Sequence, residues 1–412
     1  MIIHEPEVRE EKDEVILSAR VEFANPVPDV PERLWYRFPA EYAPHLIDGS
    51  EPFAAGLVQT AMYWGEELKV RGRVSPKFAY GLQEYAAVFQ TWLPGTFKPI
   101  EISYGEIAPS EFGKAPHAVG QAFSGGVDSF FTLWSHLPKN QPLEEFRVTH
   151  GLFIRGVGFE LLETDAFQSA YQRFKTLFED LGLILIPAAN NCRDFWRYRL
   201  DWEIMHGGPV LSTALALGKL FNKFYSPAGY PYTISAPAGS TYVIDHLLST
   251  GGLRIIHHGA RFSRREKMAR IVRWDAVQKY LHICGRTPLE INGMNCTNCN
   301  KCLQIAARLE IFGVYPEFQT FKQPFSFRYY FPWVFRASLG DYPFREVSRQ
   351  AVDARRWDIY ILFAFVRIFA SINRTFIKIA HGLLPAETRY RLKKRAYAGT
   401  PNRPASWQFP LL

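Results

Sequence analysis

The stretch AFSGGVDSFFTLW, Ala122 to Trp134, decides the fold. Val119 to Phe123 reads as the end of a buried strand, and Phe130, Leu133, Trp134 and Leu137 recur at helical spacing. Gly125 and Gly126 therefore sit in a strand-to-helix turn. Adjacent glycines open backbone conformations closed to other residues and let a ligand approach the main chain. The helix N-terminus that follows offers unpaired N–H groups and partial positive charge, which suit phosphate. Ser124 and Ser129 add hydroxyls. Asp128 is the odd member, because an acid beside a phosphate is repulsive unless it holds Mg²⁺ or a backbone donor. No Lys follows the glycines, so this is not the Gly-Lys-Ser/Thr loop of P-loop proteins.

From 117 to 315 the pattern alternates strand and helix. HAVGQAF, RVTHGLFI, LILIPA and KFYSPA read as strands, and ETDAFQSAYQRFKTLFEDLG and PVLSTALALGKLF as helices. Such alternation predicts an α/β fold with a parallel, doubly wound, Rossmann-like sheet whose ligands bind at the strands' carboxyl ends. Residues 1–116 read as a β-rich accessory domain, with alternating strands EVILSARVEF and ERLWYRFP and helices in AAGLVQTAMYWGEELKVRG and FAYGLQEYAAVFQTWLP. Residues 316–412 form a basic, aromatic, helical C-terminal region.

The chain has 412 residues and 47% hydrophobic content, enough for two or three domains. Its net charge of +8 is uneven: from Phe321 onward sixteen Lys/Arg face five Asp/Glu, which leaves about −3 for the rest. That asymmetry points to a phosphate-bearing partner of the C-terminal region, nucleic acid or an anionic membrane surface. Within WDIYILFAFVRIFASINRTFIKIAHGLL, Arg367, Arg374 and Lys378 share one helical face. A spanning helix tolerates such charges poorly, so packing on the protein or lying on a membrane is expected instead. The polar, acidic opening MIIHEPEVREEKDEV does not read as a signal peptide, and five cysteines in so long a chain do not form a disulfide framework. A cytoplasmic setting is expected.

Four of those cysteines cluster. Cys296, Cys299 and Cys302 form a C-x2-C-x2-C core, and Cys284 can return from a loop as a fourth ligand. Four thiols suit a structural, tetrahedral Zn²⁺ site. An iron–sulfur centre is the alternative, although the x3-Cys-Pro continuation of ferredoxins is absent. Cys192 stands apart as a core thiol.

Ser-Gly-Gly-Val-Asp-Ser resembles the PP-loop of the ATP pyrophosphatases, the adenine nucleotide α-hydrolase-like superfamily. With the cysteine cluster it is similar to the 7-cyano-7-deazaguanine synthases. LWYRFP, HGGPVLSTALALG, GSTYVIDHLLS, HHGARFSRREK and NCTNCNKCLQ also resemble a bacterial group of synthase-like PP-loop proteins of unknown substrate. That group often carries His and Asp where this chain has Thr241 and His258. The resemblance implies ATP, Mg²⁺ and Zn²⁺ as cofactors, and a ligase that forms AMP and pyrophosphate. It implies ATP binding by Ser124, Gly125, Gly126, Val127, Asp128, Ser129 and Arg264, and catalytic roles for Asp128, Ser129 and Lys267.

Arg264 and Lys267, one turn apart, could neutralise a leaving pyrophosphate or a carboxylate. His206 could contact nucleotide or start a helix, and Asp245 could hold Mg²⁺ or substrate or act as a cap. Two other functions fit the same residues: a tRNA-thiolating enzyme whose cysteines carry sulfur, and a non-catalytic nucleotide-binding adaptor. The substrate is not legible, and a homodimer is one arrangement the chain permits.

Overall fold

In the computed structural model the described residues are 1–109, 118–197, 199–234, 236–284, 295–297, 299–321, 323–330 and 341–383. The chain divides into two compact units, Met1–Lys267 and Met268–Leu412. The boundary expected at 116/117 lies outside the described residues, as do 331–340 and 384–412 of the basic region and the side chains of Arg374 and Lys378.

The first unit opens with β1 (Ile2–Ile3), β2 (Glu7–Glu11), β3 (Glu14–Glu22) and β4 (Arg33–Pro39). Alternation in β3 and β4 buries Val15, Leu17 and Ala19, and Leu34, Tyr36 and Phe38, on one face. α1 (Glu51–Trp64) follows, with Pro52 in its first turn and Gly65 at its end in the left-handed region, φ 71°. Glu51 to Met62 are all buried, as expected of a helix apolar on every side, and α1 packs against α6 described below. Next come β5 (Leu68–Val74), α2 (Pro76–Trp92), β6 (Ile102–Ile107), β7 (Ala118–Ala122), α3 (Val127–Ser135), β8 (His150–Arg155), α4 (Thr164–Asp180), β9 (Ile184–Asn190), α5 (Trp202–Met205), α6 (Gly207–Ala216), β10 (Phe221–Pro227) and β11 (Arg254–His258).

These strands form one eleven-stranded sheet in the order β11-β10-β7-β8-β9-β4-β3-β1-β5-β6, with β2 also on β3. β11 through β9 pair in parallel; β4 joins antiparallel to β9 and β3, and β1, β5 and β6 run parallel to one another. The architecture is α/β and mostly parallel, compatible with a Rossmann-like fold. From β7 the chain proceeds outward to β8 and β9, then returns to lay β10 on the other side of β7. Strand order therefore reverses between β7 and β10, where sheets of this kind open a crevice.

The strands of residues 1–109 extend this sheet within the same compact unit, where the sequence suggested an accessory domain of their own. Asn191 makes the join: its Oδ1 accepts from Trp35 N at 2.9 Å and its Nδ2 donates to Arg33 O at 2.9 Å. A side chain that mimics a strand edge across more than 150 residues leaves no local trace.

α7 (Arg264–Ile271) runs across the division. The second unit then holds α8 (Asp275–Tyr280), the cysteine cluster, α9 (Asn300–Ile311), α10 (Asp341–Asp353) and α11 (Trp357–Leu383). The cysteines thus belong with the C-terminal helices, where the sequence grouped them with residues 117–315. Leu303, Ala307, Tyr330, Val347, Ala351, Ile359, Phe363 and Val366 make its core. Arg308, buried in α9, donates to Gln350 Oε1 at 3.0 Å and to Glu346 Oε2 at 2.8 Å, which ties α9 to α10. Among the described residues no helix is long and apolar enough to cross a membrane.

Candidate functional site

The Ser124–Ser129 turn leaves β7 on the reversal side of the sheet. Gly125 has φ +74°, and a Cβ there would lie 2.2 Å from the Phe174 ring, so both conformation and space demand glycine. Below the turn Phe123 meets Phe130, Phe174 and Phe178 edge-on at centroid distances of 5.2, 5.2 and 4.9 Å. This aromatic floor holds the loop. Ser124 N donates to Ser129 Oγ at 3.3 Å, and Ser129 Oγ donates to Gly126 O at 3.0 Å. The two hydroxyls lie 3.4 Å apart at the N-terminus of α3, where an anion is favoured electrostatically.

Tertiary folding brings Asp128 together with two cations from α7. Arg264 Nη2 donates to Asp128 Oδ2 at 2.7 Å, and Lys267 Nζ donates to Oδ1 at 2.9 Å. Lys267 is 1% exposed and also donates to Ala228 O, just past β10. The ammonium therefore spans the two strands between which strand order reverses. Burial of the Asp128 carboxyl pushes its pKa up, but the charges of Arg264 and Lys267 and their hydrogen bonds outweigh it and leave the pKa lowered. The arrangement presents two cations, two hydroxyls, a helix N-terminus and one carboxylate: an anion site with one group able to hold a cation.

Asp245 is fully buried and accepts three hydrogen bonds: from Ser240 Oγ at 2.7 Å, Thr241 N at 3.1 Å and His257 Nδ1 at 2.7 Å. Ser240 Oγ in turn lies 2.8 Å from Ser226 Oγ on β10. His257 turns its Nδ1 to the carboxylate and leaves Nε2 as its other ring nitrogen. Asp245 opens a short 3-10 turn, Asp245–Leu248, that has no side-chain cap, so it serves as a partner of histidine and not as the cap the sequence allowed. Thr241 contributes its backbone N–H and Oγ1, the latter accepting from Val243 N at 3.3 Å.

His258 points to the opposite face, as alternation along β11 requires. Its Nδ1 lies 3.1 Å from Thr132 Oγ1 on α3, and its ring stacks on Phe131. Burial and the charges of His136, Lys267 and His257 push its pKa down to about 3. His136 is lowered by burial too, and its Nδ1 donates to Thr132 O at 2.8 Å. Both rings are neutral near pH 7. His206 closes α5, donating from Nδ1 to Glu203 O at 3.0 Å and to Trp202 O at 3.3 Å. Its role here is that of a helix-end residue. Gly207 behind it could not be anything larger, since a Cβ would fall 1.7 Å from Gly239 O. His257, Ser226, Ser240, Thr132 and Ala228 escaped the sequence reading. The one available signal was the paired His257-His258 after an apolar run.

In the second unit, Sγ atoms of Cys284, Cys296, Cys299 and Cys302 all lie within 4.8 Å of one another. The 284–299 and 296–302 separations are 4.0 and 3.8 Å. A tetrahedron with Zn–S near 2.3 Å has S···S edges of about 3.8 Å. Four cysteines therefore stand close enough to bind a metal ion, and the set is compatible with zinc. Thr297 turns the chain at φ +51°, and Cys299 N donates to Cys296 Sγ at 3.2 Å, Cys302 N to Cys299 Sγ at 3.4 Å. Asn295 aligns the two arms: its Oδ1 accepts from Ile283 N at 3.0 Å and its Nδ2 donates to Leu281 O at 2.9 Å. A hydrogen bond from Cys284 lowers the pKa of the Cys299 thiol. Cys192 lies in the first unit's core with its pKa pushed up to about 12 by burial, an inert thiol as the sequence indicated.

In comparisons with protein-family models, curated proteins and solved structures, nothing matches this chain.

Proposed function

We propose that the chain is an ATP-dependent, AMP-forming ligase of the PP-loop class, similar in chemistry to 7-cyano-7-deazaguanine synthase. The observation that carries this reading is the meeting of the Ser124–Ser129 turn with Lys267 and Arg264 around Asp128. A pyrophosphate needs a helix N-terminus, hydroxyl donors and cations converging in a crevice, and these are the groups gathered there. In this reading the turn, from Ser124 through Val127 to Ser129, holds the β- and γ-phosphates. Arg264 and Lys267 neutralise the leaving pyrophosphate. Asp128 would hold Mg²⁺, which supplies charge neutralisation when bound. A substrate oxygen attacks the α-phosphorus, pyrophosphate leaves, and a nucleophile then displaces AMP from the adenylate. Positioning and electrostatics supply the catalysis.

Zinc in the cysteine cluster has a structural role in this reading. A closed set of four sulfurs leaves only the buried, inert thiol of Cys192 besides, which supports ligation over tRNA thiolation. The test is pyrophosphate release by purified protein with Mg²⁺·ATP, screened against carboxylates that include deazapurine carboxylates. Release is expected with at least one substrate, and Asp128→Asn is expected to abolish it while circular dichroism stays unchanged. Undiminished release by that variant would sink the assignment.

A further inference from the structure

The proposed ligation leaves a buried acid without a task. Asp245 is wholly buried, accepts from Ser240 Oγ and Thr241 N, and lies 2.7 Å from His257 Nδ1 through its Oδ2. That contact fixes one end of the imidazole. At the other end Nε2 makes no hydrogen bond among the described residues, although the side chain is only 6% exposed. A ring this enclosed, with one nitrogen unmatched, is costly unless something arrives to meet it.

The fold puts that nitrogen beside the crevice. Ser226 on β10 and His257 on β11 are register partners, so both side chains leave the same face at the carboxyl ends of parallel strands. Ser226 Oγ, Ser240 Oγ, Asp245 and the imidazole then follow one another as a continuous polar chain. Two residues past Ser226, about 7 Å along the backbone, Ala228 O receives Lys267 Nζ, the ammonium that also holds Asp128. The other titratable groups against the pair are Tyr85 of α2, whose own pKa burial pushes up, and His258 on the opposite face of β11.

We propose that His257 is the proton acceptor of the nucleotide crevice and Asp245 its positioning residue. For its chemistry the proposal rests on the ligase reading. When a nitrogen nucleophile such as ammonia attacks the carbonyl carbon of the adenylate, the C–N bond forms and the C–O bond to AMP breaks. The electron pair of that bond leaves with the phosphate, and the proton shed by nitrogen passes to Nε2. Nδ1 keeps its own proton against Asp245 throughout. A sulfur nucleophile arrives as thiolate with no proton to shed, and would leave the pair idle.

The experiment is nitrogen NMR of the full chain carrying isotope-labelled histidine, alone and with Mg²⁺ and a non-hydrolysable ATP analogue. His257→Asn keeps an amide that can donate to Asp245 but has no distal nitrogen, so it assigns the His257 signals and should hold the melting temperature. In mildly alkaline buffer the proton should sit on Nδ1 and not on Nε2, and Asp245→Asn should lose that preference. The nucleotide analogue should shift the Nε2 signal. With a carboxylate that supports pyrophosphate release, His257→Asn should slow amide formation from ammonia at least about a hundredfold, and hydroxamate formation from hydroxylamine much less. A proton on Nε2, an Nε2 signal indifferent to nucleotide, undiminished amide formation, or an equal loss with both nucleophiles would each overturn the proposal. Absence of pyrophosphate release with every carboxylate would instead remove the ligase reading, and the response of Nε2 to nucleotide would still decide whether the pair serves the crevice.

Discussion

The turn after β7 and the cysteine cluster are both short stretches with a motif, yet they are held in place by opposite means. Ser124–Ser129 rests on an aromatic floor and is completed by Arg264 and Lys267, more than 130 residues along the chain. Its geometry exists because a sheet and its helices have already folded. The cysteines lie within nineteen residues of one another and converge through a few N–H···S contacts and Asn295. One site is a consequence of the fold around it. The other is a cause of the fold, if a metal fills it, because the binding free energy of a structural metal is folding free energy.

The contrast can be broken most sharply by removing metal. Elemental analysis should find about one zinc per chain, and Cys299→Ser should lose metal and stability together. The cost in zinc-finger peptides is on the order of 10 kcal/mol. Thermal unfolding with a strong chelator should lower the transition of the second unit. Indifference to chelation would erase the contrast, and visible-range absorbance from a brown protein would replace zinc by an iron–sulfur centre.

A smaller effect asks how far the second unit depends on polar ties besides the metal. Glu346→Ala leaves Arg308 buried with part of its pairing gone, which is expected to cost about 3–5 kcal/mol in urea unfolding. Replacing Arg308 by Met and Glu346 by Leu together should cost much less. A single-variant loss below about 1 kcal/mol would mean that Gln350 and the remaining partners suffice.

The smallest effect concerns the first unit and acid. His258 has its pKa pushed down to about 3 in the folded chain, against about 6.5 unfolded. Its contribution is therefore complete above the unfolded value and is lost as pH falls from there toward the folded one. The slope is at most about 1.4 kcal/mol per pH unit. Melting temperatures at pH 7 and pH 5 should diverge in the native chain and converge in His258→Asn. Parallel profiles would assign the acid sensitivity to other groups, His136 first.

Much of this was legible before folding. Gly-Gly between an apolar strand and an apolar-periodic helix admits few conformations, so the turn and its place at a strand end followed directly. α4 could be read to its end because Gly182 supplies the left-handed residue, φ 68°, that stops it. The cysteines were legible because thiol spacing is itself the ligand geometry. The Asp245–His257 pair was not, since Asp245 sat in an apolar run and His257 beside another histidine that faces the other way. Nor was the union of β4 with β9, because alternation marks a half-buried strand without saying which sheet it joins.

The sequence by itself determined the longer periodic strands and helices, where an anion-favouring turn stands, and which four thiols can share an ion. Each of these depends on residues within a few turns of chain. Only the tertiary structure decided that Lys267 and Arg264 reach Asp128, that the first hundred residues extend the same sheet, and that Asp245 meets His257. Those outcomes rest on contacts between elements far apart in the chain. Burial and pairing set their energies, and no local pattern of residues encodes who the partner is.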